Sequence, residues 1–182
     1  LFQLENPLQP GARETISHLT AGGIRSILLT GDRAKTAVRI SEDCGILKDS
    51  KIYLTGKVID KMELAEVARQ AVYCSVFVRL MPSQKGIIIR LLQQKGRHVV
   101  MVGDGPNDGI ALKAANVGIS LMANSSPIAR RLSKILINNL TDLLKLIENA
   151  HRIRETINYI KLFRILIIIL IFTGVYMRVF AL

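Results

Sequence analysis

The 182-residue sequence predicts an α/β fold with a mostly parallel sheet flanked by helices, followed by one long helix. Three observations carry that expectation. Short apolar runs alternate with segments of helical periodicity, the pattern of parallel sheets built from strand–helix–strand units. Several runs stop at small polar turns, notably Thr30-Gly31-Asp32 and Gly103-Asp104-Gly105-Pro106-Asn107-Asp108. From Thr141 onward a helical pattern runs without a break into Ile165-Leu166-Ile167-Ile168-Ile169-Leu170-Ile171-Phe172.

Composition narrows the class. An apolar content of 49% with positive mean hydropathy argues against disorder. A formal charge of +11 suggests an anionic partner. The basic residues are scattered, however, and Arg152, Arg154, Lys161 and Arg164 gather beside the apolar C-terminal run. Trp is absent and aromatics make up 5%, so platforms for base stacking are scarce. A phosphate substrate and an anionic membrane surface account for the surplus, and no nucleic acid is expected. Cys44 and Cys74 match no metal spacing and read as small buried apolar residues of a reducing compartment. Leu1 in place of an initiator Met suggests an internal fragment or a partial gene.

The elements follow in order. Pro7 and Pro10 mark a loop, and Ala12 to Leu19 reads as a helix that ends at Gly22-Gly23. Ile24 to Leu29 is an apolar strand ending at Thr30-Gly31-Asp32. Ala34 to Cys44 has helical spacing, with Gly45 as its stop. Lys51 to Val58 holds a short strand or hairpin, Lys61 to Ala71 a helix, and Tyr73 to Val78 a strand. Pro82 opens a helix that carries Lys85 in its first turn and closes at Gly96. Val99 to Val102 is a strand rich in β-branched residues, as a buried parallel strand requires. A helix through Leu112 and Ala115, a strand Val117 to Leu121, a helix Ser125 to Leu132 and a strand Ile135 to Ile137 complete the α/β part. Residues 1–139 form that domain, 140–160 a stalk helix, and 161–182 a membrane-crossing helix. The uncharged run from Ile165 to Met177 covers about 20 Å at helical rise. Carried to Leu182 it approaches the roughly 30 Å of a bilayer core. Arg164 and Arg178 are placed to snorkel. The basic residues before the run put its N-terminal end in the cytoplasm. The competing reading is a buried helix of a larger protein.

Chemistry is expected at the carboxyl ends of the strands, where ligands of open α/β sheets bind. Asp104, Asn107 and Asp108 offer hard oxygen donors of the kind Mg²⁺ prefers. Thr30 with Gly31 supplies a hydroxyl and backbone N–H groups for phosphate oxygens, and Lys85 supplies a neutralising ammonium. Each feature alone also fits a solvated turn or an exposed lysine. Their joint occurrence in this order points to phosphoryl transfer.

These residues resemble a known family. Thr30-Gly31-Asp32-Arg33-Ala34-Lys35-Thr36-Ala37 with Cys44-Gly45-Ile46 looks like the TGD segment of P-type transport ATPases. Phe77-Val78-Arg79-Leu80-Met81-Pro82-Ser83-Gln84-Lys85 resembles their F-A-R-x-x-P-x-x-K segment. Val102-Gly103-Asp104-Gly105-Pro106-Asn107-Asp108 with Ala111-Leu112-Lys113 resembles their GDGxNDxxAL hinge motif. The resemblance covers nearly the whole chain. It implies the C-terminal half of a phosphorylation domain of the haloacid-dehalogenase-like superfamily, a Rossmann-type fold, with Leu140–Leu182 similar to the stalk and fifth membrane helix of such pumps.

The resemblance also implies roles. Thr30 and Gly31 would contact an aspartyl phosphate, Asp32 would lie near the nucleotide, and Lys85 would pair with phosphoryl oxygens. Asp104, with Asp108, would hold Mg²⁺, and Asn107 and Asp108 would order phosphate and the attacking water. ATP and a transported ion are the implied partners, in an integral membrane protein with its α/β domain in the cytoplasm. The sequence departs from the family pattern in three ways. It contains no D-K-T-G-T segment with the nucleophilic aspartate, and Asp60-Lys61 continues with Met62-Glu63 instead. The family's nucleotide-binding and actuator domains are not contained in it. Pro106, Gly109-Ile110 and Val78 differ from common residues. The 139–156 stretch has a slight look of heavy-metal pumps, and a lipid flippase is a further reading. A non-catalytic truncated or regulatory domain that binds Mg²⁺ or phosphate is the alternative function, and a soluble phosphatase of the same superfamily is the third.

Overall fold

The computed structural model describes residues 8–47, 53–123 and 125–180, and side chains of the last helix as far as Ile169. Two compact units divide the chain, 1–143 and 144–182.

The first unit alternates strands and helices as its sequence dictates. Its elements are α1 (Ala12–Ala21), β1 (Leu28–Leu29), α2 (Ala34–Asp43), β2 (Leu54–Thr55), α3 (Gly56–Ile59), α4 (Leu64–Tyr73) and β3 (Val76–Val78). These are followed by α5 (Pro82–Gln94), β4 (Val100–Val102), a 3₁₀ turn (Pro106–Asp108), α6 (Gly109–Ala114), β5 (Val117–Leu121), α7 (Pro127–Leu132) and β6 (Ile135–Ile137). Among the described residues every strand pairing is parallel. The strands form two three-stranded sheets, in the orders β1-β3-β2 and β4-β5-β6, where the sequence led us to expect one.

Each central strand is buried because helices cover it. All three residues of β3 are fully buried, and they alternate. Phe77 packs with Val67, Ala71, Ile88 and Leu92 of α4 and α5. Val76 and Val78 pack against Ala37 of α2. In the other sheet the central strand β5 is buried from Gly118 to Leu121, and Met101 of the edge strand β4 packs with Ile89, Ala111, Leu112 and Ala129 from α5, α6 and α7. Leu29 and Val99 flank both of the larger clusters. This two-sided cover explains why β3 reads as a continuous apolar run rather than an alternating one, whereas Val100 of the edge strand β4 is exposed.

Several boundaries differ from the sequence reading, each for a local reason. The expected strand from Ile24 narrows to Leu28–Leu29, because Ile24 still closes α1 through its N–H to the Leu19 carbonyl. Arg25 donates to the carbonyls of Val72 and Cys74. Of the expected Lys51–Val58 element, Lys51 and Ile52 lie outside the described residues. The remainder is a parallel strand, not a hairpin, and Gly56 already starts α3. α4 begins at Leu64 rather than Lys61, and it includes Tyr73, which had been expected in the strand. α7 begins at Pro127 because Ser126 is its cap, its hydroxyl accepting the Ala129 N–H at 3.1 Å. Gly45 and Gly96, with φ of 77° and 76°, stop α2 and α5 in the left-handed conformation that glycine adopts at no cost. Both cysteines are buried and neither is in a disulfide, the Cys74 thiol donates to the Val76 carbonyl at 3.2 Å, and burial pushes both thiols up from their ordinary range.

The long helix is present as α8 (Asp142–Phe180), 39 residues without a break. Its length at helical rise is about 58 Å. Among the described residues no helix is long and apolar enough to cross a membrane. Most of the expected span, from Leu170 to Leu182, falls outside the residues whose side chains are described.

Candidate phosphate-handling site

The sequence-predicted residues sit where strands end. β1 runs into Thr30, and a backbone clamp fixes the turn that follows. Thr30 N–H donates to the Phe77 carbonyl at 3.0 Å, Leu80 N–H donates to the Thr30 carbonyl at 3.0 Å, and Arg79 N–H donates to the Asp32 carbonyl at 3.1 Å. The ends of β1 and β3 are therefore one construction. Within it the Thr30 hydroxyl donates to Asp32 Oδ2 at 2.9 Å and accepts the Asp32 N–H at 3.0 Å. Gly31 is exposed, and a Cβ there would lie 3.6 Å from the Leu80 carbonyl oxygen, an ordinary contact.

β3 leads through Arg79-Leu80-Met81 into α5. Arg79 has φ of 51°, the left-handed region, so the chain turns sharply before Pro82. Pro82 occupies the first helical turn, where its lack of an N–H costs nothing. Lys85 follows in that turn and is buried, as is Gln84.

β4 ends at Val102, and its turn is closed by Asp108. The Gly105 N–H donates to Asp108 Oδ2 at 3.2 Å. A Cβ on Gly103 would fall 2.8 Å from Asp108 Cβ, so this position requires glycine. Gly103 is held on both sides, its N–H donating to the Ile119 carbonyl at 3.0 Å and its carbonyl accepting the Ser120 hydroxyl at 2.8 Å. The Asp104 carbonyl accepts the Ser126 N–H at 2.8 Å. Its carboxylate makes no hydrogen bond or ion pair to a described residue.

Two of the predicted residues meet directly. Lys85 Nζ donates to Asp108 Oδ1 at 2.6 Å, with the side chains only 9% and 14% exposed. An ammonium and a carboxylate from positions 23 apart are thus joined at the strand ends, largely out of water. A charge-assisted contact of that kind is strong only if both groups stay satisfied. Thr30, Gly31 and Asp32 are joined to the same region through Leu80. Asn107 is exposed within the 3₁₀ turn. One participant was missed by sequence reasoning. Gln84 fixes the entrance of α5, and its signal was only a polar residue between Ser83 and Lys85.

The donor set fits Mg²⁺. Among the described residues no group of three His, Cys, Asp or Glu side chains comes together. Mg²⁺ is typically held by one or two carboxylates plus waters and substrate phosphate. Asp104 offers such a carboxylate, whereas Asp108 is engaged by Lys85 and Gly105.

Parallel sheets that end in a hydroxyl-bearing turn, a buried lysine and a glycine–acid turn make an α/β domain with its candidate site at the strand ends. The family model for haloacid dehalogenase-like hydrolases matches residues 1–116, and the chain belongs to that family. It is 29% identical to calcium-transporting ATPase 1 of Bacillus cereus over 159 residues, covering 86% of this chain and 18% of the relative. Against the calcium-transporting ATPase of Bacillus subtilis it is 29% identical over 154 residues, 84% of this chain and 17% of the relative. Against calcium-transporting ATPase type 2C member 1 of Homo sapiens it is 31% identical over 137 residues, 75% of this chain and 15% of the relative. The resemblance to the phosphorylation domain of P-type ATPases therefore holds over most of the chain. The chain spans less than a fifth of the length of these relatives.

Proposed function

We infer that this chain is the part of an ATP-driven P-type cation pump that closes the phosphorylation site and links it to the membrane. The Lys85–Asp108 pair is the observation that carries this reading. It puts the lysine of one motif on the acid of another, at the strand ends where phosphate would sit.

In this reading Lys85 would neutralise charge on the phosphoryl oxygens and hand its Asp108 contact partly to them. Thr30 and Gly31 would supply a hydroxyl and an N–H to the same oxygens, and Asp32, tied to Thr30, would lie near the nucleotide. Asp104, with help from Asp108 once Lys85 turns to the phosphate, would hold Mg²⁺, which supplies charge neutralisation at the phosphate when bound. Asn107 and Asp108 would order the phosphate and the attacking water. The phosphate-accepting aspartate would come from a part of the pump not contained in these 182 residues. Covalent catalysis needs that nucleophile, so the chain by itself would not turn over ATP.

The cargo would be a cation, and the names of the relatives favour calcium. The slight heavy-metal look of residues 139–156 finds no support in them. The unbroken α8, described from Asp142 to Phe180, is consistent with a stalk over residues 140–160 that continues into a membrane-crossing helix over 161–182; the basic residues ahead of the apolar run favour a cytoplasmic α/β domain.

The test is phosphoenzyme formation from radiolabelled ATP in the pump that carries this segment. Asp104→Asn and Lys85→Ala should each lower phosphoenzyme formation or turnover at least about a hundredfold, the usual size for loss of a charge-stabilising group. Activity within a factor of two of wild type for both would refute the assignment.

A further inference from the structure

The first turn of α5 is held from a side that the motif residues do not explain. Gln84 is 3% exposed, and all its polar capacity is directed to neighbours. Its Oε1 accepts the Met81 N–H at 2.8 Å, which satisfies one of the donors left open where a helix begins. Its Nε2 donates to the Gly56 carbonyl at 3.0 Å and to Asp60 Oδ1 at 2.6 Å. Only this orientation of the amide works, since the reverse would set an N–H₂ against an N–H and an oxygen against two acceptors.

The approach is close. A Cβ on Gly56 would fall 2.4 Å from the Arg79 carbonyl oxygen and 2.6 Å from Gln84 Oε1. Gly56 immediately follows Thr55, which stands opposite Val78 in the β2–β3 register. The segment Arg79–Met81 is thus gripped twice. On one side Thr30 and Asp32 hold Leu80 and Arg79. On the other, Gly56 and Asp60 hold Gln84. Lys85, the next residue, extends from that gripped turn to Asp108.

We propose that Gln84 is a positioning residue for Lys85, and that with Gly56 and Asp60 it forms a clasp that holds the Lys85 ammonium at the strand ends. Gln84 itself touches no reacting group in this scheme. The clasp rests on the reading of Lys85 as the phosphoryl-contacting lysine. Its effect on Lys85 is nevertheless measurable without any phosphate. A lysine held in a buried ion pair reacts slowly with acylating reagents, and loosening its helical turn exposes it.

The experiment measures the acetylation rate of Lys85 in the 182-residue chain in detergent, by limiting N-hydroxysuccinimidyl acetate and peptide mass spectrometry. Gln84→Ala should raise that rate about tenfold, in keeping with loss of buried hydrogen bonds that hold one turn. Gln93→Ala is the matched control. Gln93 lies at the far end of the same helix and donates to the Ala114 carbonyl and to Asn116 Oδ1, so its loss weakens α5 without touching the clasp. It should leave Lys85 within twofold of wild type. Asp60→Ala removes one exposed acceptor and should raise the rate about threefold, while Asp60→Asn, which keeps an acceptor oxygen, should restore it. An unchanged rate in Gln84→Ala, or an equal rise in Gln93→Ala, overturns the clasp. If Gln84→Ala does not fold, Asp60→Ala decides in the same way. Normal phosphoenzyme levels in Lys85→Ala would instead sink the phosphoryl reading and leave the clasp standing.

Discussion

Lys85 and Asp108 show how much one contact between distant residues decides. Their side chains are largely buried, so removing either charge strands the other. A double-mutant cycle with Lys85→Met and Asp108→Asn should therefore give a coupling of about 1–3 kcal/mol in urea unfolding. Coupling below about 0.5 kcal/mol would mean the pair is solvated in solution, as surface pairs are. The residues themselves were legible in the sequence. Thr30-Gly31-Asp32, Lys85 and Asp104-to-Asp108 were each readable as turn chemistry beside an apolar run. Their contact was not, because nothing in a lysine or an aspartate 23 positions apart specifies that they meet. Gln84 was invisible for a related reason. A glutamine between Ser83 and Lys85 looks like a solvated first-turn residue until the Gly56 carbonyl is brought against it.

At the scale of elements, apolar runs and glycine stops predicted the strands and helices, and the shortest elements were set by partners. β1 and β2 are two residues each, shorter than the apolar runs that predicted them. They exist because β3, fully buried, supplies a pairing edge on both sides. Helix packing against strands is equally exacting. A Cβ on Gly118 in β5 would come within 2.5 Å of the Leu112 carbonyl oxygen in α6. Backbone cannot yield as a flexible side chain does. Gly118→Ala should thus cost about 1–3 kcal/mol and lower the melting temperature by several degrees, read by thermal denaturation. A stable Gly118→Ala variant would show that α6 sits farther from the sheet than described here.

For the molecule as a whole, the composition distinguishes two kinds of surface. The α/β unit buries a core between strands and helices and exposes apolar residues singly, such as Leu64, Val100 and Ile128. In α8 by contrast Ile153, Leu162, Phe163 and Ile165 to Ile169 are exposed, beside Arg152, Arg154, Lys161 and Arg164. Exposed apolar surface next to basic residues is what an anionic bilayer would accept. The chain should therefore float with liposomes containing anionic lipid and resist carbonate extraction. Truncation after Asn149 should abolish flotation. Recovery of the intact chain in the soluble fraction would leave the buried-helix reading of that run.

The sequence by itself determined the α/β class, the mostly parallel arrangement, the place of the described strands within a few residues and most of the residues of the candidate site. Period, turn residues and caps act over three to five positions, so a linear reading captures them. Only the tertiary structure decided the rest: two sheets rather than one, the choice of a parallel strand over a hairpin at Leu54–Thr55 with a helical turn directly after it, the Lys85–Asp108 pair, and the grip of Gln84 on Gly56 and Asp60. Those features depend on close approach between segments remote in the chain, where burial and steric fit, not local propensity, choose the partners.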